Sequence, residues 1–302
     1  MNLFIIGNGF DLAHGLATRY NDFKIYLEKT YPQAIEDIYT IPEPIILADG
    51  STKYEEEVVV GFLLGIISQV EGENWEDLES TLGKLDYSDF FQVFELQDDD
   101  KENRIYYNNE DISKNILESV TEIKKLFAEW VDTIDLTNAR IDKNFSKLIQ
   151  DDDLFLSMNY TYTLEQVYGI SEKMIIHLHG EQKKDIIFGH GNSKNYWEYY
   201  NNYYTGAEDN ISELYDTLRK DTNKVIRNNS KFFKKQTLED VSNIYSFGFS
   251  FSDVDQIYIT EICKYINNKN VIWFLNNYDK KRNEEFKKII EECGFKGTFS
   301  IF

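Results

Sequence analysis

Every histidine of this chain stands in a segment that could do chemistry. His177 and His179 lie two apart in His177-Leu178-His179-Gly180, His190 sits in Phe188-Gly189-His190-Gly191, and His14 closes the stretch Gly7-Asn8-Gly9-Phe10-Asp11-Leu12-Ala13-His14. A neutral imidazole is available as a general base near pH 7 and is also a common metal ligand. Residues two apart on a strand share a face. His177 and His179 would therefore point the same way, and with His190, Asp253 and Asp255 they could hold a divalent metal. For any single histidine, a satisfied structural role is the commoner outcome.

Other polar groups gather in similar places. Asn159 follows the apolar run Leu154 to Met158, Gly248, Ser250 and Asp255 follow Ile244 to Phe247, and Asn276 follows Val271 to Leu275. Thr163 with Gln166, and more loosely Ser252 with Asp255, also fit capping boxes, and Asn159 could simply bond a turn. Leu3-Phe4-Ile5-Ile6 runs straight into Gly7-Asn8-Gly9-Phe10-Asp11. Gly7 and Gly9 would let the backbone turn tightly and bring its amides to a phosphate. The spacing Gly-x-Gly-x5-Gly departs from the dinucleotide fingerprint Gly-x-Gly-x-x-Gly, and there is no Walker lysine.

These residues need elements to position them. After Asp151, short apolar runs alternate with helical patterns: strands at 154–158, 174–178, 186–188, 244–247, 271–275 and 298–301, helices at 163–168, 211–220, 252–267 and 279–292. That alternation predicts an α/β fold with a mostly parallel, doubly wound, Rossmann-like sheet. The first strand belongs to the same sheet. Residues 20–150 read as mostly helical, with apolar three- and four-residue spacing over 55–70, 74–85 and 112–134 and an exposed acidic tract at 97–103. The expected organisation is a discontinuous nucleotide-binding domain, 1–20 plus 151–302, carrying a helical insertion at 21–150. Ligands of such a sheet collect at the carboxyl ends of its strands, near the point where strand order reverses.

The chain has 302 residues, 42% of them apolar, enough for one large or two modest domains. A formal charge of −21 repels nucleic acid and anionic membranes. Two cysteines exclude a four-cysteine zinc module, and no apolar stretch reaches the roughly 18 residues of a membrane span. The expectation is a reduced, cytoplasmic protein that takes a small nucleotide.

Taken in order, Gly7 to Leu16, Trp75-Glu76-Asp77-Leu78-Glu79, Asn159-Tyr160-Thr161, His177 to Gly180, Phe188 to Gly191 and Gly248 to Asp255 resemble the bacteriophage abortive-infection AbiH family. The resemblance runs from residue 3 to about residue 276; one departure is Ala17, where proline is expected. More distantly, the same segments are similar to the sirtuin-type NAD-binding fold, with Asp11 in place of a small hydroxyl and Thr161 in place of an aspartate. The absent zinc module separates the chain from protein deacylases and aligns it with sirtuin-like NAD hydrolases of phage defence.

This resemblance implies hydrolysis of NAD, as substrate, at its nicotinamide–ribose bond. Asn159 would orient water or the ribose hydroxyls, and His179 would be the general base. The Gly7, Asn8, Gly9 and Phe10 amides would cradle the pyrophosphate, with His177 among the nucleotide-binding residues. Gly248, Ser250 and Asn276 would hold the adenosine half, Asp255 would cap a helix or contact ribose, and Asp11 would orient His179 or bond a ribose hydroxyl. No metal is expected on this reading. Trp75, Asp77 and Glu79 either reach toward the site or, more simply, pack and solvate a helix. The helical half would serve as a lid, an oligomer interface, or a surface for a phage-derived trigger or partner protein. Two alternatives stand beside it: the metal-dependent phosphohydrolase or nuclease of the histidine set, and a non-catalytic nucleotide sensor gating a partner toxin.

Overall fold

The computed structural model describes residues 1–93, 99–267 and 269–302. It divides into two compact units: one of residues 1–18, 131–187 and 221–302, the other of residues 19–130 and 188–220.

Among the described residues the first unit is built on six strands, β1 (Asn2–Ile6), β2 (Leu154–Ser157), β3 (Ile175–His177), β4 (Asn243–Phe247), β5 (Ile272–Leu275) and β6 (Thr298–Ile301). All are parallel, in the order β3-β2-β1-β4-β5-β6. This is the order of doubly wound folds, and it reverses between β1 and β4. Alternate residues of β1 feed opposite faces: Leu3 and Ile5 join one apolar cluster, Phe4 and Ile6 the other. The sheet is therefore covered on both sides, which is why its strands read as continuous apolar runs. Register is reinforced by an aromatic row across four strands. Phe4 stacks on Phe155 at 4.9 Å and on Tyr245 at 5.0 Å, and Tyr245 stacks on Phe274 at 4.6 Å. At the amino edge, buried Asp153 accepts from the backbone and side-chain amides of Asn2 at 2.8 and 3.1 Å, fixing where β1 and β2 start.

Around the sheet lie α1 (Asn8–Ala13), α2 (Lys143–Leu148), α3 (Thr163–Tyr168), α4 (Gln256–Tyr265) and α5 (Asn283–Glu292). His14, fully buried, ties three of these together: Nδ1 bonds the Phe10 carbonyl at 2.6 Å, and Nε2 bonds the Tyr168 hydroxyl, which in turn accepts from the Asp142 amide at 2.9 Å. Burial lowers its pKa, so it stands as a neutral structural imidazole.

The second unit is mostly helical. Helix Glu56–Glu71 is buried on every side from Val59 to Ile67. The expected helix at 112–134 is two, Asp99–Thr121 and Ile123–Asp132; at the break the Thr121 hydroxyl donates to the Leu117 and Glu118 carbonyls. The helix expected over 74–85 shrinks to Leu78–Leu82, capped by Asp77. Of the acidic tract, residues 99–103 open a helix rather than a loop, and 97 and 98 lie outside the described residues. Trp75 is core, packed on Phe23, while the partly buried Glu79 forms an ion pair with the buried Lys220 at 2.8 Å. Packing and pairing account for both.

The unit boundaries differ from those drawn on composition. Residues 131–150 group with the sheet, whereas 188–220 group with the helices. The expected strand at 186–188 is instead a single antiparallel bridge from Ile186 to Gly180. Gly180 has φ +83°, and a Cβ there would meet the Asp185 carbonyl at 2.1 Å, so the chain folds back on itself there. His190 then pairs with 218–220, its amide donating to the Leu218 carbonyl and its carbonyl accepting from Lys220, both at 2.9 Å.

Candidate functional site

The carboxyl ends of β1 and β4 meet at the reversal of strand order, and glycine makes the meeting possible. A Cβ on Gly7 would stand 2.5 Å from the Gly248 carbonyl oxygen, and one on Gly248, at φ +65°, would stand 2.2 Å from the Phe10 nitrogen. The Gly7 amide donates to the Phe247 carbonyl, the Gly9 amide to the Gly248 carbonyl, and the Phe10 amide to the Gly7 carbonyl, at 2.9–3.0 Å. These glycines serve a close approach between two loops. The expected pyrophosphate cradle is corrected accordingly: of its four amides only that of Asn8, the first of α1, is not turned to a carbonyl of these loops. Asn8 itself is exposed and donates its side-chain amide to the Thr18 carbonyl at 2.8 Å; the Phe10 ring is buried against Phe145 and Phe247.

Beside this contact lies a hydrogen-bonded chain. Ser157 in β2 registers with His177 in β3, so Asn159 and His179 occupy equivalent positions, each two residues past the pair. Buried Asn159 donates its side-chain amide to the Gly7 carbonyl at 3.1 Å. Its own carbonyl accepts from His177 Nδ1 at 3.0 Å, and His177 Nε2 bonds Glu165 Oε1 at 2.8 Å. Burial lowers the His177 pKa, but the Glu165 bond, the Asn159 carbonyl and the charges of Glu165 and Glu181 overcome it, and the net shift is upward.

Asp11 is buried and takes two hydroxyl donors, Thr161 Oγ1 at 2.7 Å and Thr163 Oγ1 at 2.8 Å. It therefore neither orients His179 nor faces outward to a ribose. Desolvation raises its pKa to about 6, against the lowering effect of the Thr161, Thr163 and Asn159 hydrogen bonds. Thr163 is the first residue of α3, and its hydroxyl goes to Asp11 rather than into a capping box.

His179 and Asp255 form the second pair. Nε2 of His179 lies 3.5 Å from Asp255 Oδ1, with both residues buried, and Asp255 Oδ2 accepts from the Ser252 hydroxyl at 3.0 Å. The His179 ring also lies 5.7 Å from that of Tyr258 on α4. Asp255 thus holds the N-cap position of α4 while turning one oxygen to an imidazole. Ser250 is exposed in the same loop, and the Asn276 side chain accepts from the Tyr278 amide at 2.8 Å, shaping the turn after β5.

Among the described residues of the sheet unit, His177, His179, Asp253 and Asp255 do not converge as the expected metal set. His190 belongs to the helical unit, where burial and the Arg219 charge hold its pKa down at about 4. Asp253 is exposed and bonded to Gln256. Among the described residues, the ligand atoms that do converge are those of Glu165, His177 and Glu181. Neither glutamate stands out in the sequence, because each looks like an ordinary charge on a helix or loop. The available signal was position, Glu181 four residues past His177 and Glu165 six past Asn159.

The model of a family described as bacteriophage abortive infection AbiH matches residues 3–277, which takes in β2 to β5 and all of β1 but its first residue. The chain belongs to the AbiH family. Neither curated proteins nor solved structures yield a match. In this AbiH chain no helix among the described residues is long and apolar enough to cross a membrane.

Proposed function

We propose that this AbiH protein acts in phage abortive infection by hydrolysing NAD to nicotinamide and ADP-ribose. The reading rests on one observation above others: a buried histidine–aspartate pair, His179 and Asp255, at the carboxyl edge of a doubly wound parallel sheet. The distant sirtuin-type resemblance of the same segments supplies the substrate.

Cleavage of the glycosidic bond passes through an oxocarbenium-like state, and nicotinamide departs with the bonding electrons. The enzyme has to orient the ribose and present water to C1′. His179 accepts the water proton, and Asp255 stabilises the resulting imidazolium and fixes the ring. Asn159, its side-chain nitrogen held by Gly7, turns its amide oxygen to the water or a ribose hydroxyl. With three loop amides already bonded, the exposed Asn8 and Ser250 are the polar groups left to meet the phosphates.

The test is NAD turnover by the purified chain, with and without lysate from phage-infected cells, for wild type, His179→Ala and Asn159→Ala. Triggered turnover in wild type that disappears in both variants supports the reading. Wild-type turnover retained by both variants refutes it.

A further inference from the structure

We propose that Glu165, His177 and Glu181 form a site for one divalent transition-metal cation such as Mn2+ or Zn2+, ions that accept a mixed set of imidazole and carboxylate ligands. One donor atom from each residue lies within 4.8 Å of the other two. Nε2 of His177 is 2.8 Å from Glu165 Oε1 and 3.7 Å from Glu181 Oε2. Donors held about 2.1 Å from a common metal stand about 3.0–3.4 Å apart, so these separations bracket what a bound ion requires. Small side-chain adjustments suffice.

The surroundings prepare the ligands. His177 Nδ1 is committed to the Asn159 carbonyl at 3.0 Å, which orients the ring and directs Nε2 to the site, the outer contact that ligating histidines usually make. Glu181 gives Oε1 to Lys184 and keeps Oε2 toward His177. Independently, Glu165 Oε2 is buried with no hydrogen-bond donor among the described residues, an arrangement that is costly for a carboxylate unless a cation balances it. The three residues line a cleft of about 290 Å³ together with Glu172, Asp185 and Lys184, so carboxylates outnumber the ammonium group along its walls. One imidazole with two carboxylates suits Mn2+ or Zn2+ better than a purely oxygen-seeking ion, and water would fill the remaining positions. The ion replaces the proton shared by His177 and Glu165, which is released to solvent.

The experiment uses the full chain, stripped with chelator and dialysed against Mn2+ or Zn2+ alone in excess Mg2+, which suppresses diffuse binding to an acidic surface. Bound ion is counted after gel filtration. Wild type should retain one equivalent, and Glu165→Gln and Glu181→Gln should each weaken binding tenfold or more. For the Mn2+ form, pulsed electron paramagnetic resonance should show nitrogen coupling from a directly bound imidazole, absent in His177→Gln. No stoichiometric uptake, uptake unchanged in both glutamine variants, or Mn2+ without nitrogen coupling would each overturn the proposal. Circular dichroism confirms that the variants fold. Since the readout is binding, the outcome stands apart from whether NAD is hydrolysed.

Discussion

Nε2 of His179 faces Asp255 Oδ1 across 3.5 Å, joining the loop after β3 to the loop after β4 over the carboxyl edge of the sheet. An imidazole so placed has a carboxylate within ion-pair distance, which would attract it once it is protonated. Asp255→Asn should therefore lower kcat for NAD hydrolysis by at least tenfold with little change in KM and shift the acid limb of the pH–rate profile, whereas His179→Ala should lose about 10²–10⁴-fold. Steady-state kinetics across pH checks both. An unshifted profile with a proportionate loss of folded protein would assign Asp255 a structural role only.

Asp11 makes stability depend on pH. Its carboxyl is raised from 3.8 to about 6 by burial, so the folded state binds this proton more tightly than the unfolded state does. The contribution is fully present below pH 3.8 and is lost as pH rises to about 6, a change on the order of 3 kcal/mol. Urea unfolding of wild type and Asp11→Asn across this range should show wild type losing ground to the variant as pH rises. Parallel curves would mean that Asp11 keeps an ordinary pKa.

Gly248 and Gly15 both have positive φ but differ in their surroundings. A Cβ on Gly248 would press on the Phe10 nitrogen at 2.2 Å, while one on Gly15, at φ +83°, meets nothing within 4 Å. Gly15→Ala should cost about 1–2 kcal/mol, the left-handed penalty alone. Gly248→Ala should cost more than about 4 kcal/mol, because the β1 and β4 loops must separate. Chemical denaturation of the two variants compares them directly.

In the helical unit, the Lys220 ammonium meets Glu79 with its side chain only 1% exposed. Lys220→Met removes the cation from a carboxylate whose side chain is 15% exposed and should destabilise by about 3 kcal/mol, while Lys220→Met combined with Glu79→Leu should recover most of that. Thermal unfolding of the single and double variants reads the difference.

Strand positions were legible because the parallel sheet is buried on both faces: Leu3 to Ile6 and Ile244 to Phe247 announce themselves as apolar runs. The polar residues after them were legible as a group, since strand ends are where a doubly wound fold presents side chains. What each does was less visible. Gly7 and Gly9 read as a phosphate turn, yet their requirement comes from Gly248, distant in sequence, whose backbone they touch. Asp11 read as a ligand contact, but its partners Thr161 and Thr163 reach it only through the β1–β2 pairing. The segment at 186–188 looked like a strand, and the fold-back at Gly180 that removes it from the sheet leaves no periodicity to detect. Glu165 and Glu181 were hidden because convergence on His177 is a property of three dimensions.

In the proposed mechanism His179 acts on NAD during infection. The measurement that addresses it most directly is intracellular NAD in cells expressing wild type or His179→Ala at equal levels, before and after phage challenge. NAD should fall only in challenged wild-type cells, with protection lost in the variant. Phage protection with NAD unchanged would contradict this mechanism.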